Sequence, residues 1–92
     1  MFRQDKVTQM AARFLNLAGK QMPYLLLLKL LYLADKEMLL KWGKPISYDQ
    51  WVSMDWGPVL STTYDLIKGP PIGQSSYWAD HIKNVGRYDV RL

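Results

Sequence analysis

The chain has 92 residues, 49% of them hydrophobic, 13% aromatic and 22% charged, with a formal net charge of +4. That composition is globular and excludes intrinsic disorder and collagen-like sequence. Cysteine is absent and His81 is the only histidine, which excludes a disulfide framework, a thiolate zinc site, a two-histidine metal motif and a cysteine nucleophile.

No apolar h-region follows the opening Met-Phe-Arg-Gln-Asp-Lys. The longest apolar run, Pro23 to Leu28, is about a third of the ~20 residues a membrane span needs. The sequence therefore reads as soluble and cytoplasmic.

Asp5 to Ala18 is predicted to be the first helix. Val7, Met10, Ala11, Phe14, Leu15 and Ala18 repeat at the spacing of one buried stripe. Asp5 suits the positive end of the dipole, and Gly19 suits a left-handed stop. Pro23 opens the second helix at a position where its missing N–H costs nothing. Tyr24 to Trp42 then holds nine leucines. Leu27, Leu31, Ala34 and Met38 fall within about 60° of one another, and leucines occupy most other directions, so this helix should be central and covered on several sides. Glu37 precedes Lys41 by four, the favourable order for a surface pair. Gly43 and Pro45 end the helix.

Ile46 to Asp55 changes to an alternating period and reads as an extended segment, with Trp51 and Val52 on opposite sides. Gly57 and Pro58 are predicted to cap and open a third helix, with Asp55 just ahead of it and Val59, Leu60, Thr63, Tyr64 and Ile67 as its stripe. Residues 70–76 read as a loop. Tyr77 to Leu92 reads as a hairpin turning at Asn84-Val85-Gly86. The predicted fold is α+β and predominantly α-helical: a central hydrophobic helix packed by two others, with a short antiparallel sheet from 46–54 and 77–92.

Catalytic chemistry finds little support. Asp35 and Glu37 diverge by about 160° on a helix and cannot share a proton. Ser61 lacks a nucleophile elbow. The glycines at 57, 69 and 73 have neither Walker nor dinucleotide spacing. No enzyme, cofactor or metal is expected.

Charge and aromatics say more. Residues 1–45 carry eight Lys/Arg against three acids, and residues 46–92 carry four against five. The lysines stand singly between leucines, as solvated helix faces do, whereas phosphate-backbone binding wants a clustered basic face. Four tryptophans, six tyrosines and two phenylalanines exceed what so small a core can enclose. Tyr48, Trp51 and Trp56 lie close together in sequence, and tryptophan and tyrosine are common interface anchors.

Three segments carry a family resemblance. Lys29-Leu30-Leu31-Tyr32-Leu33-Ala34-Asp35-Lys36 resembles the KLLYFAD-type signature of the Panacea (SocA-like antitoxin) family. Gly43-Lys44-Pro45-Ile46 resembles its G-x-P-I turn. Trp56-Gly57-Pro58-Val59 with Tyr64-Asp65-Leu66 resembles its GPV…Y-D-L element. Leu60 stands where many members have a second proline. Lys29, Tyr32, Asp35, Gly57, Pro58 and Tyr64 are the family-motif positions.

The resemblance implies an antitoxin, since Panacea domains of bacteria and phages neutralise unrelated toxins by binding them. One relative is instead an adaptor that delivers its toxin to a AAA+ protease. On this reading residues 1–92 form one Panacea-like domain whose partner is a protein toxin. Tyr48, Trp51 and Trp56 supply apolar anchor area, and Lys36, Lys41 and Lys44 steer an acidic partner. A nucleic-acid or regulatory binding module is the alternative. The alternation still runs at Leu92 and the family usually continues with further helices, so part of its surface is expected to be missing. A homodimer would cover the apolar area thereby exposed.

Overall fold

The computed structural model describes residues 2–55, 57–69 and 76–92. Its elements run α1 (Gln4–Leu17), β1 (Gln21–Pro23), α2 (Tyr24–Trp42), β2 (Trp51–Met54), β3 (Gly57–Leu60), α3 (Ser61–Lys68), α4 (Tyr77–His81), β4 (Lys83–Val85) and β5 (Asp89–Arg91). The fold is α+β and predominantly helical.

The stripe of α1 buries Val7, Thr8, Ala11 and Leu15. At its first turn the Arg3 guanidinium hydrogen-bonds the Asp5 carboxylate and holds it below the usual carboxylate range. The helix ends where the Lys20 amide reaches back to the Leu15 carbonyl at 2.6 Å. The chain leaves as β1, whose Pro23 is tolerated because β1 is an edge strand.

Strand β5 lies between β1 and β4, antiparallel to both. The final described residues therefore stitch the start of α2 to the distal hairpin. Met22 pairs with Val90, and the Tyr24 amide donates to the Tyr88 carbonyl at 2.7 Å. The second sheet is a separate hairpin, β2 with β3, in which Trp51 pairs with Leu60 and Ser53 with Pro58.

Helix α2 meets α1 and α3 and gives Leu27, Leu28 and Leu31 to a core shared with Val7, Ala11, Leu15, Leu60, Ile67, Trp78, Ile82 and Val90. The cover is uneven: beyond Asp35, every residue from 36 to 44 is exposed. Gly43, at φ 75°, ends the helix in the left-handed region with its amide on the Leu39 carbonyl.

Four expectations need correction. Residues 46–50 form a loop, and only 51–54 are extended. Residues 57–60 are a strand, so the third helix starts at Ser61 and not at Pro58. The alternating residues Val52 and Met54 take this segment as their hairpin partner, and Gly57 sits at φ 111°, a conformation that side chains resist. Tyr77 to His81 is a helix turn capped by the Ser76 hydroxyl, which accepts from the Ala79 amide at 3.0 Å. The two stretches 46–54 and 77–92 do not share a sheet. The predicted loop over 70–76 lies, but for Ser76, outside the described residues, as does Trp56.

The α4 turn places Trp78 at 1% exposure in the core, its amide on the Gln4 side-chain oxygen at 3.0 Å. Truncating a buried indole removes about 3–5 kcal/mol, against a total stability for small domains of roughly 5–15 kcal/mol. Trp78→Ala is therefore expected to lower the urea midpoint steeply or to leave the chain unfolded, as read by far-UV circular dichroism.

Candidate binding surface

Asp35 sits in α2 at 1% exposure. Ionised carboxylates are seldom buried without partners, because desolvation is expensive. Four donors meet this one. Its Oδ1 accepts from the Ile46 amide at 2.8 Å and the Ser47 amide at 2.9 Å. Its Oδ2 accepts from the Ser47 hydroxyl at 2.6 Å and from Trp51 Nε1 at 3.3 Å. These use the acceptor capacity of both oxygens.

A second carboxylate continues the chain of bonds. The Ser47 hydroxyl accepts from the Asp49 amide at 3.1 Å. Asp49 then accepts from the Thr62 amide at 2.9 Å, the Thr63 amide at 2.7 Å and the Thr63 hydroxyl at 2.8 Å. Helix α3 has Leu60 at its N-cap, with no side-chain acceptor of its own. Asp49 supplies the missing one from the loop, so Asp55 is not the acid that serves this end.

The clamp fixes the aromatic residues of the loop. Tyr48 lies between the two anchored carboxylates at φ 56° with its side chain outward, 45% exposed. Trp51 is 38% exposed and meets the Tyr32 ring edge-on at 5.1 Å between centroids. The Trp51 ring is held from behind by Asp35 and Tyr32 and is open in front.

The predicted cations divide. At about 100° per residue, Lys36 is roughly 40° round from Tyr32, beside the aromatic corner. Lys41 is about 140° further round and pairs with Glu37 at 3.0 Å. Lys44 lies exposed beyond the helix end. The structure thus brings Trp51 to the side of α2 that carries Tyr32 and Lys36, leaves Tyr48 exposed on the adjoining loop, and turns Lys41 away.

The remaining motif residues have structural surroundings. The Lys29 ammonium reaches over β3, so a Cβ added at Gly57 would stand 3.5 Å from it. Pro58 lines a cleft with Leu25, Leu26, Lys29 and Val59. Tyr64 stacks on Tyr24, with the Lys68 ammonium 4.2 Å from its ring centre. His81 is exposed, and its Nδ1–H donates to the Tyr77 carbonyl oxygen at 2.7 Å. Among the described residues no cluster of three or more Asp, Glu or His side chains could hold a metal ion, and no helix is long and apolar enough to cross a membrane.

Sequence reasoning missed the working role of Asp49. Its signal was indirect: a helix without a local cap, with an acid displaced into the preceding loop.

Residues 27–92 match the family model described as antitoxin SocA-like, Panacea domain. The chain belongs to that family. No curated protein and no solved structure matches it. The matched span takes in the whole Asp35–Asp49 network.

Removing the Asp35 carboxylate strands the amides of Ile46 and Ser47, each at about 1–3 kcal/mol. Asp35→Ala is expected to lower the unfolding free energy by about 3–5 kcal/mol in urea titration. Asp49→Ala loses the cap of α3 and the exposed bond from the Gln50 amide, and is expected to cost about 0.5–2 kcal/mol.

Proposed function

We propose that this domain is an antitoxin that neutralises a partner toxin by binding it directly, with Tyr48 and Trp51 as its anchors and Lys36 beside them. Membership of the SocA-like antitoxin family supports a toxin–antitoxin role in general. The carrying observation is the clamp. Asp35 holds the Tyr48–Trp51 loop in one conformation, so the exposed rings lose little further freedom when a partner covers them. A loop that served the fold alone would have no need to present two aromatic rings to solvent. Trp56 lies outside the described residues and joins the proposal through its place in the sequence. Lys41 and Lys44 belong to the outer charge of the same helix end, where they favour encounter with an acidic surface.

The left-handed backbone at Tyr48 allows a clean test. That conformation costs a non-glycine residue roughly 1–2 kcal/mol, and glycine costs roughly 0.5–1 kcal/mol in unfolded-state entropy. Tyr48→Gly should therefore leave stability unchanged or raise it by up to about 1.5 kcal/mol while deleting the ring. With the toxic product of the neighbouring reading frame as ligand, its affinity is expected to fall by about 30-fold, the effect of losing an anchor of about 2 kcal/mol. Growth rescue on co-expression should fall with it. Unchanged affinity in a folded Tyr48→Gly variant would remove the corner from the interface. A toxin whose level falls only in the presence of a AAA+ protease would replace masking by delivery.

A further inference from the structure

Helix α2 carries a second pattern that the aromatic corner does not use. Leu26, Leu33 and Leu40 are seven apart and expose 49%, 46% and 73% of their surface. At about 100° per residue they fall within an arc of about 40°, almost opposite the buried Leu27, Leu28, Leu31 and Asp35. Lys29 and Lys36, also seven apart, form a row about 50° to one side, between the leucines and the Tyr32–Trp51 edge. Neither lysine has an ion-pair partner among the described residues. At the head of the seam Leu25, Leu26, Lys29, Pro58 and Val59 enclose a cleft of about 230 Å³.

An apolar row at a seven-residue repeat with a charged row beside it is the surface on which a second helix packs. Charge selects the occupant. In a second copy packed antiparallel the lysine rows would meet each other, and packed parallel they would meet a flank of α2 whose acid, Glu37, already pairs with Lys41. A phosphate backbone would meet the lysines but would leave three leucines against a polyanion. We infer that the seam receives an amphipathic helix of a partner protein, apolar along one stripe and acidic along the flank that meets Lys29 and Lys36. A large apolar side chain of that helix fills the cleft at Pro58. This deepens the reading of the domain as a toxin-binding module and rests on it for the biological partner, but not for the chemistry of the seam.

The test uses the full chain and two synthetic peptides of about 21 residues, three heptads with leucine along one stripe. One has glutamate on its flanks and the other lysine. The acidic peptide is expected to bind, gaining helicity by circular dichroism, about tenfold or more tighter than the basic one at low salt. Lys29→Glu with Lys36→Glu should reverse that order, and Leu33→Glu should abolish binding while leaving the urea midpoint unchanged. The inference is overturned if both peptides bind alike or not at all. It is overturned equally if light scattering finds a dimer that Leu33→Glu dissolves, or if the seam binds phosphatidylglycerol vesicles in preference to the acidic peptide. Wild type that rescues cells from the neighbouring toxin, with Leu33→Glu rescuing equally, overturns the seam and spares the antitoxin reading. Charge-ordered peptide binding without any rescue by wild type supports the seam and removes the antitoxin reading.

Discussion

A buried carboxylate constrains everything around it, because each of its lone pairs left unmet is costly. Asp35 meets that constraint with donors from a segment 11 to 16 residues further along the chain. The loop after α2 is thus fixed on the helix that precedes it, with no regular secondary structure of its own. Through Ser47 the constraint passes to Asp49, and through Asp49 to the start of α3. Two carboxylates, two hydroxyls and a few amides tie the start of α3 to α2. The Arg3 amide also donates to the Ser47 carbonyl at 2.7 Å, so the entry to α1 is tied to the same loop.

Packing alone would not define this region. Between Gly43 and Gln50 only Ser47 is buried. Hydrophobic burial is non-directional, whereas hydrogen bonds at 2.6–2.9 Å to one carboxylate fix orientation as well as proximity. The left-handed backbone at Tyr48 follows from that geometry. The chain must turn between the atoms bound to Asp35 and the carboxylate that caps α3, and the turn falls on a tyrosine. Strain of this kind persists where the surroundings over-determine it, and here the bonds on both sides do so.

The sequence made the long helices legible because one physical signal dominated each. Periodic leucines and the Gly43 stop defined α2, and the stripe from Val7 to Leu15 defined α1. The errors lie where two local signals competed. Gly57-Pro58 is a helix-opening pair by propensity, but Pro58 also fits an edge strand, and β2 needed a neighbour. Trp78, Asp80 and Ile82 alternate like a strand, yet the Ser76 cap and the space beneath α1 made a helical turn that buries Trp78. The pairing of β5 with β1 spans most of the chain, and no local pattern announces it. Asp35 was legible as part of a motif, but its task was not: a burial pattern gives the side of a helix and not the identity of the donors that will arrive there.

The same helix is therefore core and surface at once, and its sequence explains how. Leu27, Leu28 and Leu31 face inward beside Asp35, while Leu26, Leu33 and Leu40 face outward. A helix serving only a small core would place polar residues on the outer arc, since exposed leucine there adds nothing to folding and invites association. The lysines at 29 and 36 restrain antiparallel self-association by making like meet like. They leave the apolar arc open to a surface of opposite charge. Stability on one side and selectivity on the other are thus written into alternate positions of α2, with the Asp35 clamp holding the aromatic corner at the edge between them.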